Sequence, residues 1–291
     1  MLELKRILFP VDMSQACLRF APIVRSIASR TGAHLTLLNT LELPARYETK
    51  PVAFTSWVDI RGLMRQQRSE FNAFRKAEFS CLLEVNHVFR RGDPAQRILE
   101  YAKKHQINLI MMPTQGLGVV RRMLIGSVTA KVLHDADCPV WTAAHVPETP
   151  QTVRLSRILC AIDLSEQNVG LMRYTQGLGQ LFESQIRYLN VVAVSESWAI
   201  RPLEADFVMG LVRDAQARMQ ALENSVNIRE DLKVRSGEIA HAVRSEALAW
   251  NADLIVIGRG VLGKALGRLR SETYQIIRES PCQVVSVVAD W

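Results

Sequence analysis

Arg6-Ile-Leu-Phe-Pro-Val-Asp12-Met-Ser14, near the start of the chain, is a short apolar run that ends in Asp-x-Ser. The run Arg157-Ile-Leu-Cys-Ala-Ile-Asp163-Leu-Ser165, past the middle, has the same form. Three further pairs of segments match in the same order: His34–Asn39 with Gln185–Asn190, Asn108–Met112 with Asp253–Ile257, and Asp137–Trp141 with Pro281–Val285. Four landmarks in register indicate that the chain is a duplication of one unit.

Each copy alternates short apolar runs with amphipathic stretches. The apolar runs suit strands buried on both faces, and the amphipathic stretches suit helices. Helices are predicted over Gln15–Arg30, from Asp93-Pro94 onward, over Ser127–His134, and in the later part of an insert spanning Pro44–Phe79. This alternation predicts an α/β fold of two tandem, doubly wound parallel-sheet domains with right-handed crossovers. We expect domains at residues 1–147 and 154–291, joined by the Pro- and Thr-rich stretch His145–Thr152.

Composition narrows the class of protein. The 291 residues are 48% hydrophobic and 22% charged, and no apolar run approaches the roughly 20 residues of a membrane span. The start of the sequence lacks the pattern of a signal peptide, so we expect a cytoplasmic protein without membrane contact. The five cysteines form no C-x-x-C pair. The net charge of +7 favours anions in general, but no nucleic-acid-binding motif accompanies it.

Ligands of open parallel sheets bind beyond the carboxyl ends of the strands, where the strand order reverses. Asp12 and Asp163 end their first strands and should lie there, either binding a ligand or metal or starting the next helix. The loop from Met112 to Val128 carries Gly126-Ser127 directly before a helix, whose free N–H groups would suit a phosphate. Gly116 in the same loop would allow close approach of the backbone to a ligand.

The segment Gly126-Ser-Val-Thr-Ala-Lys-Val-Leu-His-Asp-Ala-Asp-Cys-Pro-Val140 is similar to the ending G-S-V-x-x-K-V-L-x-x-A-x-C-P-V of universal stress protein domains. Domains of that family that bind ATP carry G-x-x-G-x9-G-[S/T] in this place and an Asp at the end of the first strand. The segment Gly92-Asp-Pro-Ala95 also resembles the family. The resemblance covers nearly the whole chain and implies two Rossmann-like domains of the adenine nucleotide alpha hydrolase type.

The resemblance also implies where ATP, with magnesium bound through its phosphates, would lie. In the first copy the family's nucleotide-binding positions, with Asp12 also the magnesium ligand, fall on Asp12, Thr40, Met112, Pro113, Gly116, Gly126, Ser127 and Val128. In the second copy they fall on Asp163, Val191, Gly258, Gly260, Arg270 and Ser271.

Two departures from the family pattern bear on function. The first glycine of the motif is Pro113 in copy one, and proline has no N–H and a fixed φ. In copy two the glycine before Ser271 is replaced by Arg270, which would either crowd the phosphates or pair with them. Copy one is therefore predicted to hold a degenerate site, and copy two a weaker one.

Other motifs in the chain are weak. Gly258-Arg-Gly260-Val-Leu-Gly263 spells G-x-G-x-x-G, but it follows the fourth strand of its copy, with one strand remaining. A phosphate-binding P-loop would need Ser or Thr after Lys264, where this chain has Ala265. The histidines show no metal-ligand spacing, and no catalytic constellation is evident.

The first interpretation is a tandem universal stress protein that responds to nucleotide as a regulatory or protective protein and is not a metabolic enzyme. By analogy with the family, Val140–Ala144 and Val284–Val288 would pair the two domains, and two chains would form a homodimer. The alternative is a scaffold or a binder of another anionic small molecule. A weak ATPase or phosphotransferase, with a metal near Asp12, ranks third.

Overall fold

The structure is a computed structural model. It describes residues 2–42, 60–82, 84–115, 125–144, 154–165, 168–194, 202–226, 230–259 and 270–288. Three predicted segments lie outside these residues: the linker, the part of the Pro44–Phe79 insert that precedes residue 60, and the glycine-rich stretch after Arg259.

Strands and helices alternate within each half of the described chain. The first half contains β1 (Arg6–Pro10), α1 (Gln15–Thr31), β2 (His34–Leu41), α2 (Ile60–Phe79), β3 (Val85–Arg91), α3 (Pro94–Lys104), β4 (Leu109–Met111), α4 (Ser127–Asp135) and β5 (Val140–Ala143). The second half contains β6 (Arg157–Ile162), α5 (Asn168–Phe182), β7 (Gln185–Ala193), α6 (Pro202–Val226), β8 (Asp231–Gly237), α7 (Ile239–Trp250), β9 (Leu254–Arg259), α8 (Arg270–Glu279) and β10 (Gln283–Val288).

The strands form one sheet in the order β3-β2-β1-β4-β5-β10-β9-β6-β7-β8. Every pair within a half is parallel, and the two halves repeat the same order. The predicted tandem α/β fold is thereby confirmed. The exact limits 1–147 and 154–291 stay a prediction, since the junction lies outside the described residues.

The halves meet through their last strands. β5 and β10 pair antiparallel, with Trp141 opposite Val285, as the resemblance to the family implies. Trp141 is fully buried and its indole N–H donates to Gln283 Oε1 at 2.8 Å. This pairing leaves β3 and β8 at the two edges of the sheet.

Two side chains of the second half reach helix α4 of the first. Arg259 donates to the carbonyl oxygens of Leu133 and Cys138 at 2.5 and 2.6 Å, at the C-terminal end of α4. Tyr274 donates its hydroxyl to the Ala130 carbonyl at 2.7 Å. Burial lowers the pKa of Arg259 to about 10, as expected for a guanidinium withdrawn from water. Helix α4 is thus held in place by groups from both halves.

The helix limits follow from local chemistry. The Ser14 hydroxyl accepts the Cys17 N–H and caps α1, while Asp93 accepts the Gln96 N–H and caps α3, with proline at the first helical position. Gly32 ends α1 in the left-handed conformation at φ 64°.

The core has a layer on each face of the sheet. Side chains of α1, α2, α5 and α6 pack on one face, and those of α3, α4, α7 and α8 on the other. Both halves place equivalent helices on the same face, and β5 and β10 are antiparallel. The strands of the two halves therefore run in opposite directions, so their carboxyl ends point to opposite sides of the joined sheet. Within the described ranges, no helix combines the length and apolarity that a membrane span requires.

Candidate functional site

A cleft of about 490 Å³ lies at the carboxyl ends of β1, β2 and β4. In this sheet the strand order reverses between β1 and β4, which is where open α/β sheets bind ligands. The volume falls within the range of small-molecule sites. We call this cleft 1; its walls include Val11, Leu38, Ile98, Pro94 and Gln67.

Cleft 1 brings together most of the positions expected in the first copy. Seven of them line it: Asp12, Thr40, Met112, Pro113, Gly126, Ser127 and Val128. The eighth, Gly116, lies outside the described residues.

Asp12 is held at the cleft by a tight turn. Its Oδ1 atom accepts the Ser14 N–H at 2.9 Å, and Met13 between them has φ 61°. A bulky residue in the left-handed region is strained. Leu164 has φ 59° at the matching place of the second half, so both copies keep the same strained turn. The turn places Asp12 at the mouth of cleft 1 and Asp163 at the matching place of the second half.

The end of β2 offers backbone groups to cleft 1. β1 ends at Pro10 opposite Leu38, whereas β2 continues to Leu41. The Leu38 carbonyl accepts the Val11 N–H at 2.8 Å. Because backbone groups alternate in direction along a strand, the N–H and C=O of Thr40 point to the same side as those of Leu38, past the end of β1. The Val11 carbonyl, which a longer β1 would offer to that N–H, instead accepts the buried Asn39 amide at 2.7 Å. Asn39 thereby keeps this edge open.

The N-terminus of α4 faces cleft 1 without a side-chain cap. Gly126 is the N-cap residue, at φ −62° and ψ 149°, and it makes no side-chain capping hydrogen bond to the first turn. The first turn also contains no acidic residue. The orphan N–H groups and the helix dipole therefore favour an anion here.

Pro113 is accommodated within this wall. Its carbonyl accepts the buried Thr129 hydroxyl at 3.1 Å, and Gly126 donates its N–H to the Thr114 carbonyl at 2.7 Å. The strand end and the helix start are thus tied together. The proline removes one N–H donor from the motif without disturbing α4.

The second half has a matching but smaller cleft of about 170 Å³, which we call cleft 2. Three expected positions line it: Asp163, Val191 and Gly258. Gly260 lies outside the described residues. Arg270 and Ser271 begin α8, although their side chains are not described.

Asp163 already has partners of its own. Its Oδ1 accepts the Ser165 N–H at 3.0 Å and the Asn168 side-chain amide at 2.9 Å. Burial acts to raise the pKa of Asp163, but the hydrogen bonds from Ser165 and Asn168 outweigh it and hold the pKa below its usual value. The residue that matches Asn168 in the first half is Cys17, which makes no such bond to Asp12. Asp163 is therefore committed to the start of α5.

The entrance to α8 also differs from that of α4. Glu272 lies in the first turn of α8 and lines cleft 2, where the first half has Val128. A carboxylate there already meets the preference of the helix N-terminus for negative charge, and it would repel a phosphate. Arg259, which also lines cleft 2, donates its guanidinium N–H groups to the carbonyl oxygens of Leu133 and Cys138.

The sequence matches the model of the universal stress protein family over residues 3–143 and again over residues 155–287. The chain belongs to the universal stress protein family. The two matches make it a tandem member, with one family domain in each half of the sheet.

Two relatives each match about half of the chain. A universal stress protein of Methanocaldococcus jannaschii is 29% identical over 137 residues, covering 47% of this chain and 79% of its own length. One from Thermus aquaticus is 32% identical over 139 residues, covering 47% of this chain and 96% of its own length. The crystal structure of a universal stress protein from Archaeoglobus fulgidus covers 99% of this chain and 100% of its own, with a TM-score of 0.71 at 20% identity. That structure shares the fold.

Some site features escape sequence reasoning. Asn39 recurs as Asn190 in the matched segments, and Asn190 donates to the Ile162 carbonyl at 2.9 Å in the same way. The recurrence of asparagine at matched positions was the sequence signal that could have identified this residue. Gln67 and Glu272 gave none, because one lies in an insert and the other breaks the motif. Among the described residues, no group of three or more His, Cys, Asp or Glu side chains could hold a metal.

Proposed function

We propose that this universal stress protein is a nucleotide-responsive regulatory protein that binds one ATP, with magnesium, in cleft 1. The observation that carries the proposal is the uncapped N-terminus of α4, which opens into a cleft lined by seven of the family's ATP positions. Cleft 2, by contrast, is smaller and has Glu272 at the corresponding helix start.

The two ends of cleft 1 suit the two ends of ATP. Phosphate oxygens would accept hydrogen bonds from the first N–H groups of α4. The adenine would lie between the apolar side chains of Leu38, Ile98 and Met112, with its edge at the backbone of Thr40. An apolar wall with a few placed polar groups is typical of small-molecule sites.

Magnesium fits the same arrangement. Mg²⁺ in nucleotide sites takes one or two carboxylates and several phosphate or water oxygens. Asp12 presents a carboxylate whose Oδ1 is fixed by the Ser14 N–H, and it is exposed at the cleft. The ion would offset the repulsion between Asp12 and the phosphates.

The second domain would then serve structure and not ligand binding. Arg259 holds the C-terminal end of α4, the helix whose N-terminus forms the proposed phosphate site. A homodimer would use a surface other than β5 or β10, because those strands already pair within the chain. We infer a cytoplasmic location, which suits five cysteines that are all free.

Calorimetric titration of the intact protein with ATP tests the proposal. We expect micromolar affinity, near −8 kcal/mol, with magnesium present, and binding about tenfold weaker with EDTA. The samples are also assayed for released phosphate, repeated on Asp12→Ala. Absence of binding under both conditions would sink the ATP proposal and favour the scaffold alternative, whereas Asp12-dependent turnover would favour the ATPase alternative.

A further inference from the structure

The C-terminal end of helix α4 is bound by a cation from the other domain. Arg259, on β9, donates to the carbonyl oxygen of Leu133 in the last turn of the helix at 2.5 Å. It also donates to the carbonyl oxygen of Cys138, which follows the helix, at 2.6 Å. The last carbonyl groups of a helix have no partners within it and carry the negative end of its dipole, so a cation is favoured there.

The residues that support α4 have no equivalents that could support α8. In the matched halves Arg259 corresponds to Thr114, whose hydroxyl donates to the Ala143 carbonyl of its own half at 3.2 Å. Tyr274, which donates to the Ala130 carbonyl, corresponds to Ala130 itself, and alanine has no side-chain donor. The helix that starts in cleft 1 without a side-chain cap is therefore the one whose far end receives a charge from the second domain.

That charge can act along the whole of α4. Burial lowers the pKa of Arg259 to about 10, which still leaves the guanidinium protonated at neutral pH. The helix has 9 residues and is about 13 Å long. Thr129, Val132 and Leu133 of α4 are buried, so the path between its two ends passes through protein interior, where salt screens charges less than in water. A cation at the end of α4 therefore favours an anion at its start and offsets the repulsion from the negative end of the dipole.

We propose that Arg259 is a positioning residue through which the second domain raises the affinity of cleft 1 for the phosphates of ATP. This inference rests on the proposed function of cleft 1. Arg259 does not touch the nucleotide and acts through α4, by holding its last carbonyl groups and by placing a positive charge at its C-terminal end. The second domain thereby contributes to the recognition of an anion that it does not itself bind.

The test compares ATP with adenosine, which carries the same base and sugar without the charge. Calorimetry gives the ATP affinity of the intact protein, Arg259→Met and Arg259→Lys, and competition against ATP gives the adenosine affinity of each. Arg259→Met removes the charge and should weaken ATP binding about tenfold, with adenosine binding unchanged. Arg259→Lys keeps the charge and should hold ATP affinity within about threefold of the intact value.

Tyr274→Phe is the matched control, because it removes a neutral hydrogen bond between the second domain and the same helix. It should change ATP affinity by less than about twofold. Urea unfolding verifies that each variant is folded. If Arg259→Met does not fold, Arg259→Gln takes its place, since glutamine keeps a hydrogen-bond donor without the charge.

The opposite results are distinct. ATP affinity that is unchanged in Arg259→Met, or an equal loss of ATP and adenosine affinity, would overturn the inference. So would a Tyr274→Phe or Arg259→Lys protein that binds ATP as weakly as Arg259→Met, because charge would then not be the cause. Each of these results leaves ATP binding to the intact protein in place, whereas absence of that binding would overturn the proposed function, and this inference with it.

Discussion

Replacing Gly126 with arginine is expected to weaken ATP binding about 100-fold, which corresponds to about 2.7 kcal/mol. Gly126 is the N-cap residue of α4 and lines cleft 1, so a long side chain there would occupy the phosphate position. Its φ of −62° is allowed for any residue, so the substitution should not strain the backbone. Calorimetry on the variant gives the change in affinity directly.

Two controls make that result specific. Gly126→Ala keeps the backbone with little added bulk and should stay within a few-fold of the intact affinity. Gly258→Arg places the same side chain in cleft 2, at an exposed position, and should leave ATP binding unchanged. Unchanged binding by Gly126→Arg would mean that the phosphates do not lie at the start of α4, whereas tighter binding would mean that the guanidinium pairs with the phosphates there and does not crowd them.

Glu246→Gln is expected to destabilise the second half by about 3 kcal/mol, the usual effect of breaking a buried ion pair. Glu246 is buried on α7 and accepts hydrogen bonds from Arg187 at 2.7 Å and from Arg235 at 2.8 and 2.9 Å. Arg187 also donates to Asp231 at 2.7 Å and lies over the ring of Trp250 at 4.5 Å. Removing the carboxylate charge leaves a largely buried guanidinium with less compensation.

Urea unfolding followed by circular dichroism measures this effect. Asp214→Asn is the matched control, because it breaks an exposed pair with Arg218 at 4.0 Å and should cost less than about 1 kcal/mol. Arg187→Met combined with Glu246→Gln should cost less than the sum of the two single changes, since the two residues share one network. A Glu246→Gln protein as stable as the Asp214→Asn control would contradict the role assigned to the network.

The repeat and its periodicity were enough to predict the fold. The Asp-x-Ser runs and the Asp93-Pro94 helix start are local signals, and each predicts where one element begins or ends. The pairing of the last strands was expected only from the resemblance to the family. The structure confirms the tandem α/β arrangement and the pairing of β5 with β10.

The site was less accessible to sequence reasoning. Gly126 and Ser127 could be placed because their spacing follows a motif. Gln67 could not, because its position depends on how an insert helix packs along β3. Arg259 adjoins a motif glycine, yet it bonds to the other domain through a contact that only the joined sheet creates.

The difference between the two clefts was only partly visible. Arg270 in place of glycine was evident in the sequence. The bonds from Asn168 to Asp163 and the place of Glu272 in cleft 2 depend on side-chain geometry at a helix start. These features act together, so the asymmetry is clearer in the structure than in any single substitution.

The number of ATP molecules bound per chain tests the central claim most directly. Equilibrium dialysis of the intact protein at saturating ATP and magnesium measures that number independently of affinity. The asymmetry between cleft 1 and cleft 2 predicts one ATP per chain in the intact protein and in Gly258→Arg, and far less than one in Gly126→Arg at the ATP concentration that just saturates the intact protein. Two ATP molecules per chain, or one that persists in Gly126→Arg, would contradict the assignment of nucleotide binding to the first domain alone.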